Sequence, residues 1–426
     1  MDKPTEKPPR RLRTVCDVNP PTPRVPDFAE VTFLPMEAVG ETGSLDRSRT
    51  RTASEVRQGY TGFVDGDVLL AKITPCFENG KGALARDLLN GVGFGTTELH
   101  VLRLRDPQHD SRWLYYVTQS HNFRADGTAS MYGAGGQKRV PPDFIRNFAS
   151  VIPPAATQTA IANFLDRKTA AIDELIEKKQ KLLSLVAEKR AALIHRAVTK
   201  GLDPTVPMKD SGIPWIGEIP AHWDVRRLKH VCRLETGHTP SRTDPTLWIE
   251  SECVHPWVSL NDTARLKISE SINDTTHHIS NRGIAASAAH LIDAGAVVIT
   301  RDATIGLAAI IERPMAVSQH IIAWVCGEHL RNRFLLRVID AMSQELHRLT
   351  FGATLRTIGM MDVKGMTSPL PPVEEQDKIL SVLDQQLGGL IAASKHLREQ
   401  IFRIREYRQA LITAAVTGRL DIEGAA

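Results

Sequence analysis

Two stretches of the chain share a hydrophobic rhythm that the rest lacks. Each begins after a proline pair, Pro153-Pro154 or Pro371-Pro372, and has no further proline until past its closing Leu202-Asp203 or Leu420-Asp421. A proline pair ends an extended segment, and its fixed φ suits a helix start. Alternating steps of four and three from Ile161 visit Leu165, Ile172, Leu175, Leu182, Val186 and Leu193, with Lys168, Lys179 and Lys189 between them. The same steps from Ile379 visit Leu383, Leu390, Ala393, Leu397, Ile404, Tyr407 and Leu411, with Gln386 and Gln400 as polar interruptions. This is the seam of a two-helix coiled coil, and it predicts two helices of about 45 residues, roughly 65 Å long at 1.5 Å per residue. Polar Lys168, Lys179, Gln386 and Gln400 are expected to set register or pairing direction.

The two stretches are copies. A single ungapped shift of 218 positions lays Gln158 on Gln376, Leu165-Asp166 on Leu383-Asp384, Ala192-Leu193-Ile194 on Ala410-Leu411-Ile412 and Ala197-Val198-Thr199 on Ala415-Val416-Thr417. What precedes each helix is duplicated more loosely. Arg10-Arg11-Leu12-Arg13 resembles Arg226-Arg227-Leu228-Lys229, and Gly66-Asp67-Val68-Leu69-Leu70-Ala71-Lys72 resembles Gly295-Ala296-Val297-Val298-Ile299-Thr300-Arg301. Both of the latter read as apolar strands that deliver a basic residue to a loop. Asn79-Gly80-Lys81-Gly82 and Thr304-Ile305-Gly306 follow as glycine turns, then Gly95-Thr96-Thr97-Glu98-Leu99-His100 and Ala316-Val317-Ser318-Gln319-His320.

The order is domain, helix, domain, helix. The expected divisions are a globular domain over 1–150, a helix over 151–203, a connector over 204–222, a second domain over 223–368, a helix over 369–421 and a tail over 422–426. The fold class is α+β, with two globular α/β domains alternating with two long helices that pair as an antiparallel coiled coil, under a pseudo-twofold internal repeat. Antiparallel pairing is the economical arrangement, because the end of the first helix and the start of the second both meet the second domain.

Composition excludes much else. The chain has 426 residues, 42% hydrophobic and 24% charged, close to a globular average and long enough for two or three domains. No apolar run reaches the roughly 20 residues of a bilayer span and no signal-peptide core follows Met1-Asp2-Lys3-Pro4, so a cytoplasmic protein without membrane contact is expected. Cys16, Cys76, Cys232, Cys253 and Cys326 are scattered without metal spacing and read as free thiols. The net charge of +4 is spread so evenly that neither domain has the basic excess of a non-specific nucleic-acid binder.

Catalytic look-alikes fail one by one. Asn19-Pro20-Pro21-Thr22 has Thr22 where a methyltransferase needs a stacking aromatic. Gly91-Val92-Gly93-Phe94-Gly95 lacks dinucleotide-loop spacing, and Asn79-Gly80-Lys81-Gly82 lacks the P-loop frame. Asp143 with Asp166-Arg167-Lys168 mimics a nuclease, but its second half starts the coiled coil. Paired His277-His278 has no helical partner at zinc spacing. No catalytic residue, metal ligand or cofactor is expected in this chain.

With its two domains, two helices, Gly212-Ile213-Pro214-Trp215-Ile216-Gly217-Glu218-Ile219-Pro220-Ala221-His222-Trp223 and Leu370-Pro371-Pro372-Val373-Glu374-Glu375-Gln376, the chain resembles the specificity subunit of a Type I restriction-modification system. Gly66-Asp67-Val68 through Lys81, and Thr300 through Gly306, resemble core turns of its target-recognition domains. One departure is Pro153-Pro154-Ala155-Ala156-Thr157-Gln158, which lacks the acidic pair before its glutamine. The resemblance implies a non-catalytic subunit that reads a bipartite, asymmetric target on double-stranded DNA. It also implies two modification (adenine-N6 methyltransferase) subunits and two restriction subunits as partners, with S-adenosylmethionine, ATP and Mg used by them.

Direct readout needs Arg or Lys for guanine and Asn or Gln for adenine, held on loops that reach a groove. In the first domain the candidates are Lys72, Thr74, Asn79, Lys81, Gln137, Lys138 and Arg139, with Gly133-Ala134-Gly135-Gly136 as a recognition loop. In the second they are Ser259, Asn261, Arg301, Thr304, Gln319, His320 and Arg356, while Trp248 and Trp257 read as scaffold. The near-neutral charge predicts weak DNA binding by the chain alone, with much of the affinity supplied by the methyltransferase partners.

Overall fold

The computed structural model describes residues 8–22, 24–134, 136–352 and 356–422. Met1–Pro4, Gly135 of the expected recognition loop and residues 423–426 of the expected tail lie outside the described residues. The chain divides into two compact units, Met1–Gln180 with Arg398–Ala426, and Lys181–Leu397. The two long helices, Ala155–Lys200 and Val373–Val416, each contribute to both units. No described helix is long and apolar enough to cross a membrane.

The first unit is built on an antiparallel sheet in the order Cys16–Val18, Leu99–Leu104, Val68–Ala71, Gly82–Leu84. A second sheet places Glu30–Leu34 parallel to Val92–Gly95, flanked by Thr50–Thr52 and Thr61–Val64. The first sheet packs on the helix Ser111–Gln119, whose Trp113, Leu114 and Tyr116 are buried with Leu12, Phe77 and Phe123. Asp110 caps that helix by accepting from Arg112 N at 2.9 Å.

The second unit repeats this plan. Its main sheet runs Cys232–Thr236, Ile321–Cys326, Val297–Thr300, Ala308–Ile311, with Ser271–Ile272 added at the edge. Cys253–Val258 lies parallel to Ala316–Val317, the counterpart of the parallel pair in the first unit. The helix Asn332–Ala341 buries Phe334, Leu335 and Ile339 against the main sheet. In the first unit Arg10–Arg11 pairs with the strand just before its long helix, Arg10↔Ser150, and in the second Asp224–Arg227 does the same, Arg226↔Ser368. The segment over 204–222 is a folded hairpin: Met208–Asp210 pairs with Glu218–Pro220, and Ile216, Ile219 and Trp223 join the core beside Ile194 and Val198.

The start of each long helix is locked by a glutamine with no solvent exposure. Gln158 Nε2 donates to Pro153 O at 2.9 Å and meets His109 Nδ1 at 2.8 Å, while its Oε1 accepts from Asp110 N at 3.0 Å. Gln376 Nε2 donates to Pro371 O and His329 O, both at 2.9 Å, and its Oε1 accepts from Arg331 N at 2.9 Å. The missing acidic pair matters at this end. Glu375 accepts from Trp223 Nε1 at 3.0 Å and pairs with His222 at 2.9 Å, and its counterpart by the 218-residue shift is Thr157.

The helices pair antiparallel within each unit. In the first, Ile161 and Leu165 share a core with Ile412, Ala415 and Val416, Arg408 grips Asp173 at 2.9 and 3.0 Å, and Lys179 Nζ donates to Gln400 Oε1 at 2.6 Å. In the second, Ile194, Ala197 and Val198 share a core with Ile379, Leu380, Leu383 and Leu387.

The expected seam is right at every second position and off by one at the others. Ile161, Leu165, Ile172, Val186, Leu193, Ile379, Leu383, Leu390, Leu397, Ile404 and Leu411 are buried or half-buried. Leu175, Leu182 and Tyr407 are 44%, 48% and 60% exposed, and Lys168 and Gln386 are exposed too, so neither sets register. The covered positions are the next residues along, Thr169, Ile176, Leu183 and Arg190 in one helix and Leu387, Ser394, Ile401 and Arg408 in the other. The same one-residue rotation in both copies follows from two consecutive steps of four, Ile161 to Leu165 to Thr169 and Ile379 to Leu383 to Leu387. That is the local correction a helix of 3.6 residues per turn makes to a 3.5-residue pattern.

Replacing Gln376 or Gln158 with alanine strands buried backbone groups, and each change is expected to lower the unfolding free energy by about 2–3 kcal/mol. Gln386→Ala, at an exposed helix position, is expected to cost under about 0.5 kcal/mol. Urea midpoints of the three variants check this ranking.

Candidate nucleic-acid interface

The strand Val68–Ala71 ends at Lys72, where the backbone is held from three sides. Lys72 N donates to Glu98 O at 2.9 Å, Val140 N donates to Lys72 O at 2.9 Å, and Thr74 N donates to Lys138 O at 3.0 Å. The strand Val297–Thr300 ends at Arg301 in the same way. Arg301 N donates to His320 O at 3.1 Å, Ile358 N to Arg301 O at 2.9 Å, and Ala303 N to Arg356 O at 2.9 Å. The two ladders put Lys72 and Arg301, Glu98 and His320, and Lys138 and Arg356 at matching positions. His100 and His320, which end similar sequence segments, are not counterparts: by strand register His100 lies opposite Leu70, the place that Ile322 takes opposite Ile299.

The ladder gathers five of the seven candidates in the first unit. Lys72, Thr74, Gln137, Lys138 and Arg139 lie on it or beside it, with Gln137 and Lys138 exposed. Arg139 forms a forked ion pair with Glu98, from 2.8 to 3.2 Å, and this contact holds the Glu98 carboxyl below its ordinary range. Arg139 is therefore committed to holding the loop. Lys81 is committed too, since its Nζ donates to Met36 O at 3.1 Å, and Asn79 stands exposed in the turn between. Neither Lys72 nor Lys138 forms an ion pair among the described residues.

In the second unit Arg301, Thr304, Gln319, His320 and Arg356 converge on the equivalent end of the sheet. His320 Nδ1 lies 2.6 Å from Asp302 Oδ2, and Arg301 Nε is 3.5 Å from the same oxygen. Gln319 is exposed and accepts from the Thr239 hydroxyl, while the Thr304 carbonyl accepts from the Thr300 hydroxyl. Arg356 is exposed. Ser259 is only 5% exposed, and its hydroxyl is shared between Asn261 N and Asp262 Oδ2 in a capping box. It builds the loop that presents exposed Asn261. Three buried polar atoms at this end, Arg301 Nε, Asp302 Oδ1 and Ser318 Oγ, have no hydrogen-bond partner among the described residues. Such a cluster is suited to a polar ligand. Trp257 is buried and Trp248 packs edge-on against it at 5.8 Å, as scaffold.

Two kinds of residue escaped the sequence reading. Glu98 and Asp302 are the acids that orient the basic candidates, and nothing local marks them. Tyr132 and Phe351 are 65% and 60% exposed on the hairpins that carry Lys138 and Arg356. Their signal was present in the sequence as Tyr132-Gly133-Ala134 and Phe351-Gly352-Ala353, an aromatic-Gly-Ala repeat.

The decoy motifs are accounted for by structure. Asn19 N donates to Val101 O at 2.7 Å, and its side chain meets buried His100. His100 Nε2 in turn contacts Val140 O, on the ladder, at 2.9 Å. Asp166 accepts from Tyr116 Oη at 2.7 Å and from Arg112 at 3.0 Å, while Asp143 pairs with Arg146. His278 pairs with Asp274 at 2.9 Å. Among the described residues no three His, Cys, Asp or Glu side chains group as metal ligands would.

Burial pushes the His100 ring below its ordinary value of 6.5, which fixes it as a neutral donor to Val140 O. The unfolded chain then takes up a proton that the native ring resists. Stability from this site is full above about pH 6.5 and is lost as pH falls towards the depressed native value. The unfolding midpoint of the first unit is expected to drop as pH falls below about 6.5. His100→Gln, which keeps a donor and removes the titration, is expected to flatten that slope in thermal melts.

Residues 220–403 match the family model described as the Type I restriction modification DNA specificity domain. The specificity subunits of the Type I restriction enzymes EcoEI and EcoAI of Escherichia coli are each 36% identical over 181 and 180 residues, 42% of this chain. The chain spans only 30% of the length of those two relatives. The MjaVIII specificity subunit of Methanocaldococcus jannaschii is 21% identical over 74% of this chain and 71% of its own length. A chain solved in work on complex assembly and conformational transition of the type I R-M system superposes with a TM-score of 0.73 at 19% identity, covering 99% of this chain and 100% of that one. The fold is common to both. Across residues 220–403, the chain is similar to the Type I restriction modification DNA specificity domain.

Proposed function

We propose that this chain is the non-catalytic specificity subunit of a Type I restriction-modification complex, reading a bipartite, asymmetric sequence in double-stranded DNA with one half-site for each recognition domain. On this reading the recognition domains are 1–150 and 223–368, the helices are 151–203 and 369–421, and 204–222 joins them. The observation that carries the proposal is the duplicated ladder. One backbone frame presents a basic residue at the strand exit and another on the hairpin, Lys72 with Lys138 and Arg301 with Arg356, while the side chains around them differ. A shared frame suits two docking events of one kind, and unlike side chains suit two unlike half-sites.

The chemistry belongs to partners. Two modification subunits would use S-adenosylmethionine to methylate adenine N6, and two restriction subunits would use ATP and Mg. The paired helices would act as the spacer, so their length would set the unread gap between half-sites. A rival reading, an enzyme with its own active site, predicts methyl transfer by the purified chain alone.

The test is to assemble the chain with its modification subunits, expose genomic DNA to the complex and sequence the methylated adenines. One bipartite motif is the expected result, and scattered or absent methylation refutes the reading. Lengthening both helices by one heptad, about 10 Å of rise, is expected to lengthen the gap between the half-sites and leave the half-sites themselves unchanged.

A further inference from the structure

Tyr132 and Phe351 stand at the same place in the two units. Tyr132 N donates to Arg139 O at 3.2 Å and Arg139 N to Tyr132 O at 2.9 Å, while Phe351 pairs with Thr357 in a short antiparallel ladder. Arg139 and Thr357 follow Lys138 and Arg356 directly, so each aromatic lies across the hairpin from the exposed basic candidate. Each is followed by a glycine in the left-handed region, Gly133 at φ +139° and Gly352 at φ +100°. A Cβ on Gly133 would sit 2.6 Å from Gln137 O, so the hairpin closes only with glycine there. The two copies have diverged around this point, differing by one residue in loop length and in almost every side chain. Both keep aromatic-Gly-Ala and a basic residue, and both leave a large ring in solvent. Burying such a ring in the unit's own core would be worth about 1.5–3 kcal/mol. Its exposure is therefore unexplained by folding.

We propose that Tyr132 and Phe351 are a matched pair of aromatic contacts to the DNA duplex, one for each half-site, laid against base edges or steps beside the phosphate or guanine contact of Lys138 or Arg356. This rests on the DNA-reading function proposed above. The charge next to the rings selects the occupant. Lys72 and Lys138 at one ladder, and Arg301 and Arg356 at the other, make a basic rim suited to a polyanion, and aromatic faces supply the apolar contact that bases accept.

The experiment uses the full chain assembled with its modification subunits and a duplex oligonucleotide carrying the motif found by methylation sequencing. Tyr132→Ala and Phe351→Ala are each expected to weaken binding roughly 5- to 150-fold, the range for loss of one base–aromatic contact. Loss of discrimination should be confined to one half-site in the first variant and to the other half-site in the second. Tyr132→Phe should bind as wild type. Thermal melts of all three should match wild type, since the rings are exposed. Unchanged affinity in both alanine variants overturns the inference, and so does failure of either variant to assemble, which would assign the rings to a protein partner. If the wild-type complex yields no motif, the function proposed above has failed first, and the two failures are thereby distinct.

Discussion

Everything in this molecule hangs from two buried amides. A helix of more than forty residues with a narrow apolar stripe has no stable home until something fixes where it starts and which way it leaves. Gln158 and Gln376 do this by bonding both a carbonyl of the preceding proline pair and the backbone ahead of a short domain helix. The strand pairs Arg10↔Ser150 and Arg226↔Ser368 fix the chain just upstream. Domain and rod therefore meet at a joint where a fully buried amide is bonded through both its nitrogen and its oxygen, and breaking such a bond is expensive. The second joint carries an extra brace through Glu375, Trp223 and His222 that the first lacks.

Anchored this way, the helices pair through a mixed seam. Arg408 with Asp173 and Lys179 with Gln400 interrupt the apolar contacts in the first unit. In the second, Arg190, the repeat counterpart of Arg408, turns to Asp340 at 3.4 Å instead. Burial raises the Asp340 carboxyl above its ordinary range despite the neighbouring arginines. Polar groups in a helix seam favour one register over others at some cost in stability, which is useful when the spacing of two attached domains matters.

The candidate interface separates frame from content. Backbone hydrogen bonds are indifferent to side-chain identity, so the ladder at Lys72 and at Arg301 survives extensive divergence. The side chains on it have moved apart in kind. Glu98 holds Arg139 in one unit; in the other the Glu98 position is His320, held by Asp302 from a position that is Ile73 in the first. That position has exchanged an acid for a base, and its partner comes from a different place on the frame. That exchange changes what the two surfaces offer to a partner without changing how either is folded.

Repetition made much of this readable from the chain alone. The 218-residue shift, the proline boundaries and the four-three rhythm determined two long helices and two similar domains, because apolar periodicity and proline act locally, and the resulting chain order made antiparallel pairing the economical arrangement. The strand exits at Lys72 and Arg301 were legible for the same reason. Tertiary structure alone decided the rest. Which face of each helix is covered turned on Thr169 and Leu387, since a hydrophobic rhythm of seven cannot register a one-residue rotation that packing rewards. Which basic candidates are already engaged turned on Glu98 and Met36, forty-one and forty-five positions distant from Arg139 and Lys81. Pairing across such separations is set by where the backbone brings charges together, and no local pattern of residues encodes that.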